Sequence, residues 1–177
     1  MQPNRVTPGT IIVKTIVVHT VTYFVLGILA FFMLDYSGLF AQAGISQYMR
    51  PTTDRIVMAG PLFQPVRGLL LGVILYFLRE SFFQRPKGWL PLWATLVVVG
   101  ILSPYGAAPG SIEGLIYTKL PLYFHIKGLP EVLIQTLLFS AVLFYWVNHP
   151  ERKWLSWSLG VLFFLLLLGP ILGLLVG

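Results

Sequence analysis

Five long apolar segments follow one another along the chain, and the charged residues fall mostly in the gaps between them. A bilayer's hydrocarbon core is about 30 Å thick, so a helix needs about 20 apolar residues to cross it. The pattern predicts an all-α integral membrane protein, a bundle of five transmembrane helices in a single domain over residues 1–177. The predicted spans are Ile11 to Leu34, Pro61 to Leu78, Trp89 to Tyr105, Leu129 to Val147 and Trp154 to Val176.

The composition supports a membrane protein and indicates which classes of binding partner to expect. Hydrophobic residues make up 56% of the chain and charged residues 10%, a balance that does not suit a small water-soluble domain. In a soluble protein a net charge of +6 would suggest nucleic acid. Here the basic residues lie beside membrane spans, where they orient the protein. We therefore expect membrane lipids, a homo-oligomer or a larger membrane complex as partners, and no nucleic acid.

The distribution of Lys and Arg predicts the orientation. Residues 79–87 and 149–153 form short basic loops on the same side as Arg5, and short basic loops stay in the cytoplasm. The N-terminus is therefore expected inside and the C-terminus outside, in a bacterial or archaeal cytoplasmic membrane. All five tryptophans fall at span ends beside these loops. The first apolar run, about 24 residues, is longer than a signal peptide's core, so we expect a retained span despite the small residues at 41–43.

Short helices are predicted in the outer interface. Leu39 to Met49 follows a turn at residues 36–38 and carries regularly spaced apolar residues. Thr52 or Thr53 is expected to cap a further turn. Ser111 is expected to cap a second short helix that carries Glu113 and Tyr117.

Two polar faces predict how the first two spans pack. The first span carries Thr15, His19 and Thr22 on one face, and the second carries Gln64, Gly68 and Gly72. Polar groups in hydrocarbon need partners, and small residues allow helices to approach closely. We expect both faces to contact other helices rather than lipid.

Polar residues also collect near the outer ends of the spans. Arg67 lies about 9 Å into the predicted second helix, where an unpaired cation costs up to about 3 kcal/mol. We expect a carboxylate to hold it, with Glu131 favoured over Glu113, or else that it extends to lipid phosphates. Glu131 also suits the positive end of a helix dipole. The candidate residues of an internal polar pocket are Arg67, Glu131, Glu113, Gln135, Gln64, Tyr117, His125 and His19.

Catalytic and metal motifs are missing from the sequence. Without cysteine, disulfides, thiolate metal sites and thiol nucleophiles are excluded. No phosphate-binding loop, His-Glu-x-x-His or Gly-x-Ser-x-Gly motif occurs. Glu113, Glu131 and His125 could together bind a metal, but their spacing matches no metal motif. We expect no metal and no cofactor, a hydrogen-bonding His19 and a solvated His125.

Three functions fit this pattern. The first is a non-enzymatic accessory subunit or self-associating scaffold, favoured by the absence of a soluble domain and by Gly169, Gly173 and Gly177 at four-residue spacing. The second is a small transporter or binding protein whose anionic or zwitterionic ligand meets Arg67. The third is an intramembrane enzyme acting on lipid head groups, with Glu113 or Glu131 as acid or base and His125 assisting.

Overall fold

The computed structural model describes residues 7–176, and every element of secondary structure in this range is helical. Arg5, which bears on orientation, and Gly177, which bears on helix packing, lie outside the described residues. The α-helices are α1 Pro8–Met33, α2 Tyr36–Ala41, α3 Arg55–Ala59, α4 Gln64–Phe77, α5 Arg79–Phe82, α6 Trp89–Val97, α7 Ile112–Tyr117, α8 Leu122–Lys127, α9 Leu129–Asn148 and α10 Lys153–Val176. A 3-10 turn, Gly60–Phe63, joins α3 to α4, and a π turn, Val98–Leu102, extends α6.

Four helices are long and apolar enough to cross a membrane, which makes this a membrane protein by length and composition. They cover Pro8–Met33, Arg55–Phe77, Leu122–Asn148 and Lys153–Leu175. The third predicted span is shorter than expected. Its helix, Trp89–Leu102, rises about 21 Å, less than a hydrocarbon core of about 30 Å. The predicted count of five is therefore not confirmed by helix length.

The helix α1 packs against α4, α9 and α10 and so organises the bundle. Its contact with α4 is close because two glycines of α4 face its backbone. A Cβ atom on Gly68 would lie 2.7 Å from Cα of Ile16, and one on Gly72 would lie 2.9 Å from Cα of Ile12. Thr15 on the facing side of α1 is fully buried. The predicted packing of the two polar faces is confirmed.

The largest group of buried apolar side chains lies at the end of the bundle that carries the basic loops. Residues of α1, α4, α5, α6 and α9 form it, including Ile11, Leu92 and Leu143, each almost fully buried. Lys14 is buried beside this core, donates from Nζ to the carbonyl of Trp146 at 2.6 Å and lies 5.1 Å from that indole's centroid. The charge of Lys14 therefore has its partners within the protein, beside a buried apolar core.

The chain turns sharply after α1, and this turn changes the predicted interfacial helix. Asp35 adopts a left-handed conformation, with φ of 48°, and its Oδ1 accepts a hydrogen bond from the backbone N–H of Gly38. Helix α2 therefore begins at Tyr36, where a turn was expected, and ends at Ala41 rather than continuing to Met49. The turns that follow bury Ile45 against α8.

Side chains also cap the N-termini of α3 and α7. Asp54, not Thr52 or Thr53, caps α3, because its carboxylate accepts from the backbone N–H of Ile56 at 2.9 Å. The expected cap of α7 is confirmed, since Ser111 Oγ accepts from the backbone N–H of Gly114 at 2.9 Å.

Candidate functional site

Glu131 lies where three cavities meet, at the end of the bundle opposite the basic loops. It is in the first turn of α9, directly after Pro130, which favours a helix start. The cavities have volumes of about 710, 280 and 200 Å³, and Glu131 borders each of them. Each of the other site residues predicted from the sequence borders at most one of these three cavities.

Tyr36 holds the Glu131 carboxylate. Its hydroxyl donates a hydrogen bond to Oε2 of Glu131, across 95 positions of sequence. Burial, and after it this hydrogen bond, raise the pKa of Tyr36 above its usual value of 10.0. The phenol therefore remains a neutral donor at physiological pH, and one carboxylate oxygen of Glu131 is fixed in place.

The largest cavity is apolar and lies between α1, α3 and α10. Its walls include Phe24, Ile28, Phe31, Leu165 and Pro170, with Tyr23, Tyr36 and Glu131 at one side. At 710 Å³ it falls within the size range of small-molecule sites. Its apolar lining suits a hydrocarbon chain.

Two glycines keep this apolar cavity open. A Cβ atom on Gly169 would meet nothing within 4 Å, so this glycine borders open space rather than a helix contact. No other helix of the described chain packs closely against Gly169, and self-association through the four-residue glycine spacing of α10 stays a prediction. A Cβ atom on Gly27 would lie 4.0 Å from Oε1 of Glu131. The second carboxylate oxygen of Glu131 thus faces a position that has no side chain.

The 280 Å³ cavity is more polar and lies between α1, α4 and α9. Arg67, Tyr23, Gln135, His19 and Glu131 border it. Residues of the π turn at 98–102 and the loop residues 108–109 also border it. Irregular backbone at such a place in a membrane protein is typical of a cavity lining.

Several polar groups around this cavity have unused hydrogen-bonding capacity. Within residues 7–176, the Arg67 guanidinium, the Tyr23 hydroxyl and the Gln135 amide have no hydrogen-bond partner, and Glu131 uses Oε2 alone. Tyr23 lies within electrostatic reach of both Arg67 and Glu131. Unpaired polar groups in a membrane-embedded region are costly, and water or a ligand removes that cost.

The expected ion pair of Arg67 is not formed. Within the described part of the chain, no carboxylate oxygen of Glu131 or Glu113 lies within 4.0 Å of an Arg67 nitrogen. The prediction of a direct ion pair was wrong, because Arg67 is exposed instead of enclosed. The hydrogen bond that Glu131 does accept comes from Tyr36 of α2. The candidate membrane span that carries Arg67 also begins at Arg55 rather than Pro61, because α3 and the 3-10 turn precede α4. Arg67 therefore lies about 18 Å along this span.

His19 and Gln64 bond to each other. Nε2 of His19 lies 3.2 Å from Oε1 of Gln64, and the Gln64 amide also lies 3.5 Å from the carbonyl of Gly60. This agrees with the expected hydrogen-bonding role of His19. The pair connects α1 to α4 beside the polar cavity.

His125 is buried, so the expectation of a solvated ring is wrong. Its Nδ1 accepts from the backbone N–H of Gly110 at 3.1 Å, and its Nε2 lies 3.4 Å from the Thr118 hydroxyl. It borders the 200 Å³ cavity together with Glu131. Its contacts hold Gly110 and Thr118 against α8. Glu113 is half-buried and Tyr117 exposed, and neither borders any of these three cavities.

Sequence reasoning missed Tyr23, Tyr36 and Gly27. The spacing offers a signal for two of them, because His19, Tyr23 and Gly27 follow one another at four-residue intervals on one face of α1. Tyr36 had no such signal, since its contact depends on the turn at Asp35.

The described part of the chain contains no group of side chains suited to hold a metal ion. Within residues 7–176, no three His, Cys, Asp or Glu side chains are close enough together to hold a metal ion. The site therefore offers charge, hydrogen bonds and apolar volume. No protein-family model, curated protein or solved structure matches this chain.

Proposed function

We propose that this integral membrane protein binds an amphipathic ligand with an anionic or zwitterionic head group. The observation that carries the proposal is that a large apolar cavity and a smaller, more polar one share two lining residues, Tyr23 and Glu131. The apolar part of the ligand occupies the space between α1 and α10. Its anionic group contacts Arg67.

The unpaired groups favour ligand binding over a purely structural role. A structural cation in a membrane helix is expected to bond within the protein, as Lys14 does with the Trp146 carbonyl. Arg67 has no such bond within the described residues, yet it borders a cavity with Tyr23 and Gln135. A phosphate or carboxylate is the natural partner for the planar guanidinium fork.

Purified protein tests this proposal through its thermal stability. We expect phosphatidylglycerol in mixed detergent micelles to raise the melting temperature of the wild type, because binding to the folded state alone stabilises it. Arg67→Gln should lose this shift. Arg85→Gln removes a cation from the exposed basic loop and serves as the matched control, which should keep it. Equal shifts in all three proteins would contradict the proposal.

The proposed topology has five crossings, with the N-terminus inside and the C-terminus outside a cytoplasmic membrane. The basic loops support this orientation. The short helix Trp89–Leu102 makes the third crossing, and α2, α7 and α8 lie in the outer interface, where Ile116 and Leu122 expose apolar surface. The site then opens towards the outer side.

The cysteine-free chain allows a direct test of this topology. A single cysteine at Thr52 should react with a membrane-impermeant thiol reagent in intact cells, and one at Lys87 should react only after lysis. The reverse pattern would overturn the proposed orientation.

A second candidate function is an accessory subunit or self-associating scaffold. The most apolar 18-residue window of α10 has no buried residue, so lipid or another protein chain covers this helix. Cysteines introduced at the exposed positions Phe164 and Leu172 test it in native membranes. Disulfide-linked dimers or cross-links to a second protein would support this function. Monomers alone, at both positions and with added oxidant, would count against it.

The lipid head-group enzyme has less support. Its proposed residues are not assembled, because Glu113 lies away from the cavities and both ring nitrogens of His125 contact groups of the protein. Glu131 remains the acid or base that such a reaction would use.

A further inference from the structure

The two opposite charges of the site lie on one cavity without pairing with each other. Arg67 and Glu131 both border the 280 Å³ cavity, and no Arg67 nitrogen lies within 4.0 Å of the carboxylate in the part of the chain described. Tyr23 is close enough to both for each charge to act on it. Opposite charges held apart around a space match a ligand that carries both charges, also held apart.

Glu131 has one oxygen available for such a ligand. Its Oε2 accepts from Tyr36, whereas Oε1 has no hydrogen-bond donor among residues 7–176. This oxygen lies 4.0 Å from the place that a Cβ atom on Gly27 would take, and both Gly27 and Glu131 border the apolar cavity. A carboxylate oxygen that is oriented by a phenol and open to a cavity is an acceptor for an ammonium group.

Resting on the proposed function, we infer that the site recognises a zwitterionic head group that joins a phosphate to a primary ammonium. The phosphate binds Arg67 and the ammonium donates to Oε1 of Glu131. The Tyr23 hydroxyl and the Gln135 amide lie on the same cavity and supply further donors to the phosphate. The acyl chains extend past Glu131 into the apolar cavity, which Tyr23 and Glu131 also border.

Binding measured by native mass spectrometry tests this inference with two lipids of equal chain length. Wild-type protein should bind phosphatidylethanolamine about tenfold more tightly than phosphatidylglycerol, because only the former offers an ammonium for a charge-assisted hydrogen bond. Glu131→Gln should remove this preference, so that the variant binds the two lipids equally. Glu113→Gln, a carboxylate on the same side but away from the cavities, is the matched control and should keep the preference.

The outcomes separate this inference from the proposed function. Equal binding of both lipids by the wild type, or an unchanged preference in Glu131→Gln, would overturn the ammonium assignment while Arg67-dependent binding stands. Lipid binding that is unaffected by Arg67→Gln would overturn the proposed function itself. Soluble phosphoethanolamine distinguishes the source of the head group. Displacement of the lipid at micromolar concentration would show a free solute as ligand and overturn the role of the apolar cavity.

Discussion

The two ends of the bundle treat a basic residue in opposite ways. At the end with the basic loops, Lys14 is buried, donates to the Trp146 carbonyl and lies against its indole ring. At the other end, Arg67 is exposed, borders a cavity and has no hydrogen bond within the described residues. The first charge ties α1 to α9, and the second is left available. A charge satisfied inside the fold is structural, whereas one left open on a cavity is a candidate for ligand binding.

Replacing one glycine at each end with leucine should give the largest difference in unfolding free energy between the two ends. Gly72→Leu places its side chain against the backbone of α1, where even a Cβ atom would lie 2.9 Å from Cα of Ile12. We expect a loss of about 3 kcal/mol in unfolding free energy, because neither helix can move away without disturbing the core. Gly169→Leu should leave stability nearly unchanged, because its Cβ meets nothing within 4 Å.

Chemical denaturation in mixed micelles measures both glycine variants. The Gly169→Leu side chain extends into the apolar cavity, so this variant should also bind phosphatidylglycerol more weakly than the wild type. A comparable loss of stability in the two variants would show that the outer cavity is as tightly packed as the α1–α4 contact, and the contrast between the two ends would then fail.

Removing each basic residue is the next largest test. Lys14→Met keeps the apolar stem but leaves the Trp146 carbonyl without its donor, and we expect a loss of about 2 kcal/mol. Arg67→Met should change ligand-free stability by less than about 0.5 kcal/mol. Unfolding in lipid-depleted detergent measures both values. The comparison would fail if Arg67→Met were the more damaging change.

Tyr36 gives a smaller effect that depends on pH. Its raised pKa means that the folded state favours the neutral phenol, so this stabilisation is complete below pH 10.0 and is lost as pH rises through the higher folded value. Tyr36→Phe should cost about 1 kcal/mol at neutral pH, because Glu131 loses its donor. The difference between wild type and variant should shrink above pH 10.0 in a pH series of unfolding measurements. A difference that is constant to the highest pH measured would contradict the proposed role of this hydrogen bond.

The smallest expected effect concerns the ion pair that the sequence suggested. In ligand-free protein, Arg67→Gln and Glu131→Gln should be additive within about 0.5 kcal/mol in a double-mutant cycle, since the two groups do not bond. Unfolding measurements on the two single variants and the double variant give the coupling. A favourable coupling of about 2 kcal/mol or more would restore the direct pair, and Arg67 would no longer be an available cation.

The sequence predicted what depends on local pattern. Apolar segment length located the four long helices, and four-residue spacing located the α1–α4 contact through Gly68 and Gly72. Four of the residues proposed for an internal polar pocket border one cavity: Arg67, Glu131, Gln135 and His19. Whether they function together stays a prediction.

What the sequence did not predict depends on where irregular segments place a side chain. The left-handed turn at Asp35 starts α2 early and brings Tyr36 to Glu131, so this carboxylate bonds to a residue that the sequence did not suggest. In the same way, the buried contacts of His125 arise from a loop whose path has no periodic signal. Charge and depth alone identified candidates for pairing but not the partner that forms the bond.

A structure of the protein in phosphatidylethanolamine nanodiscs tests the central claim most directly. We expect density for an amphiphile whose chain lies between α1 and α10 and whose head group contacts Arg67, while Tyr36 still bonds to Glu131. An empty or collapsed space between α1 and α10, with Arg67 bonded directly to Glu131, would contradict the proposed binding site.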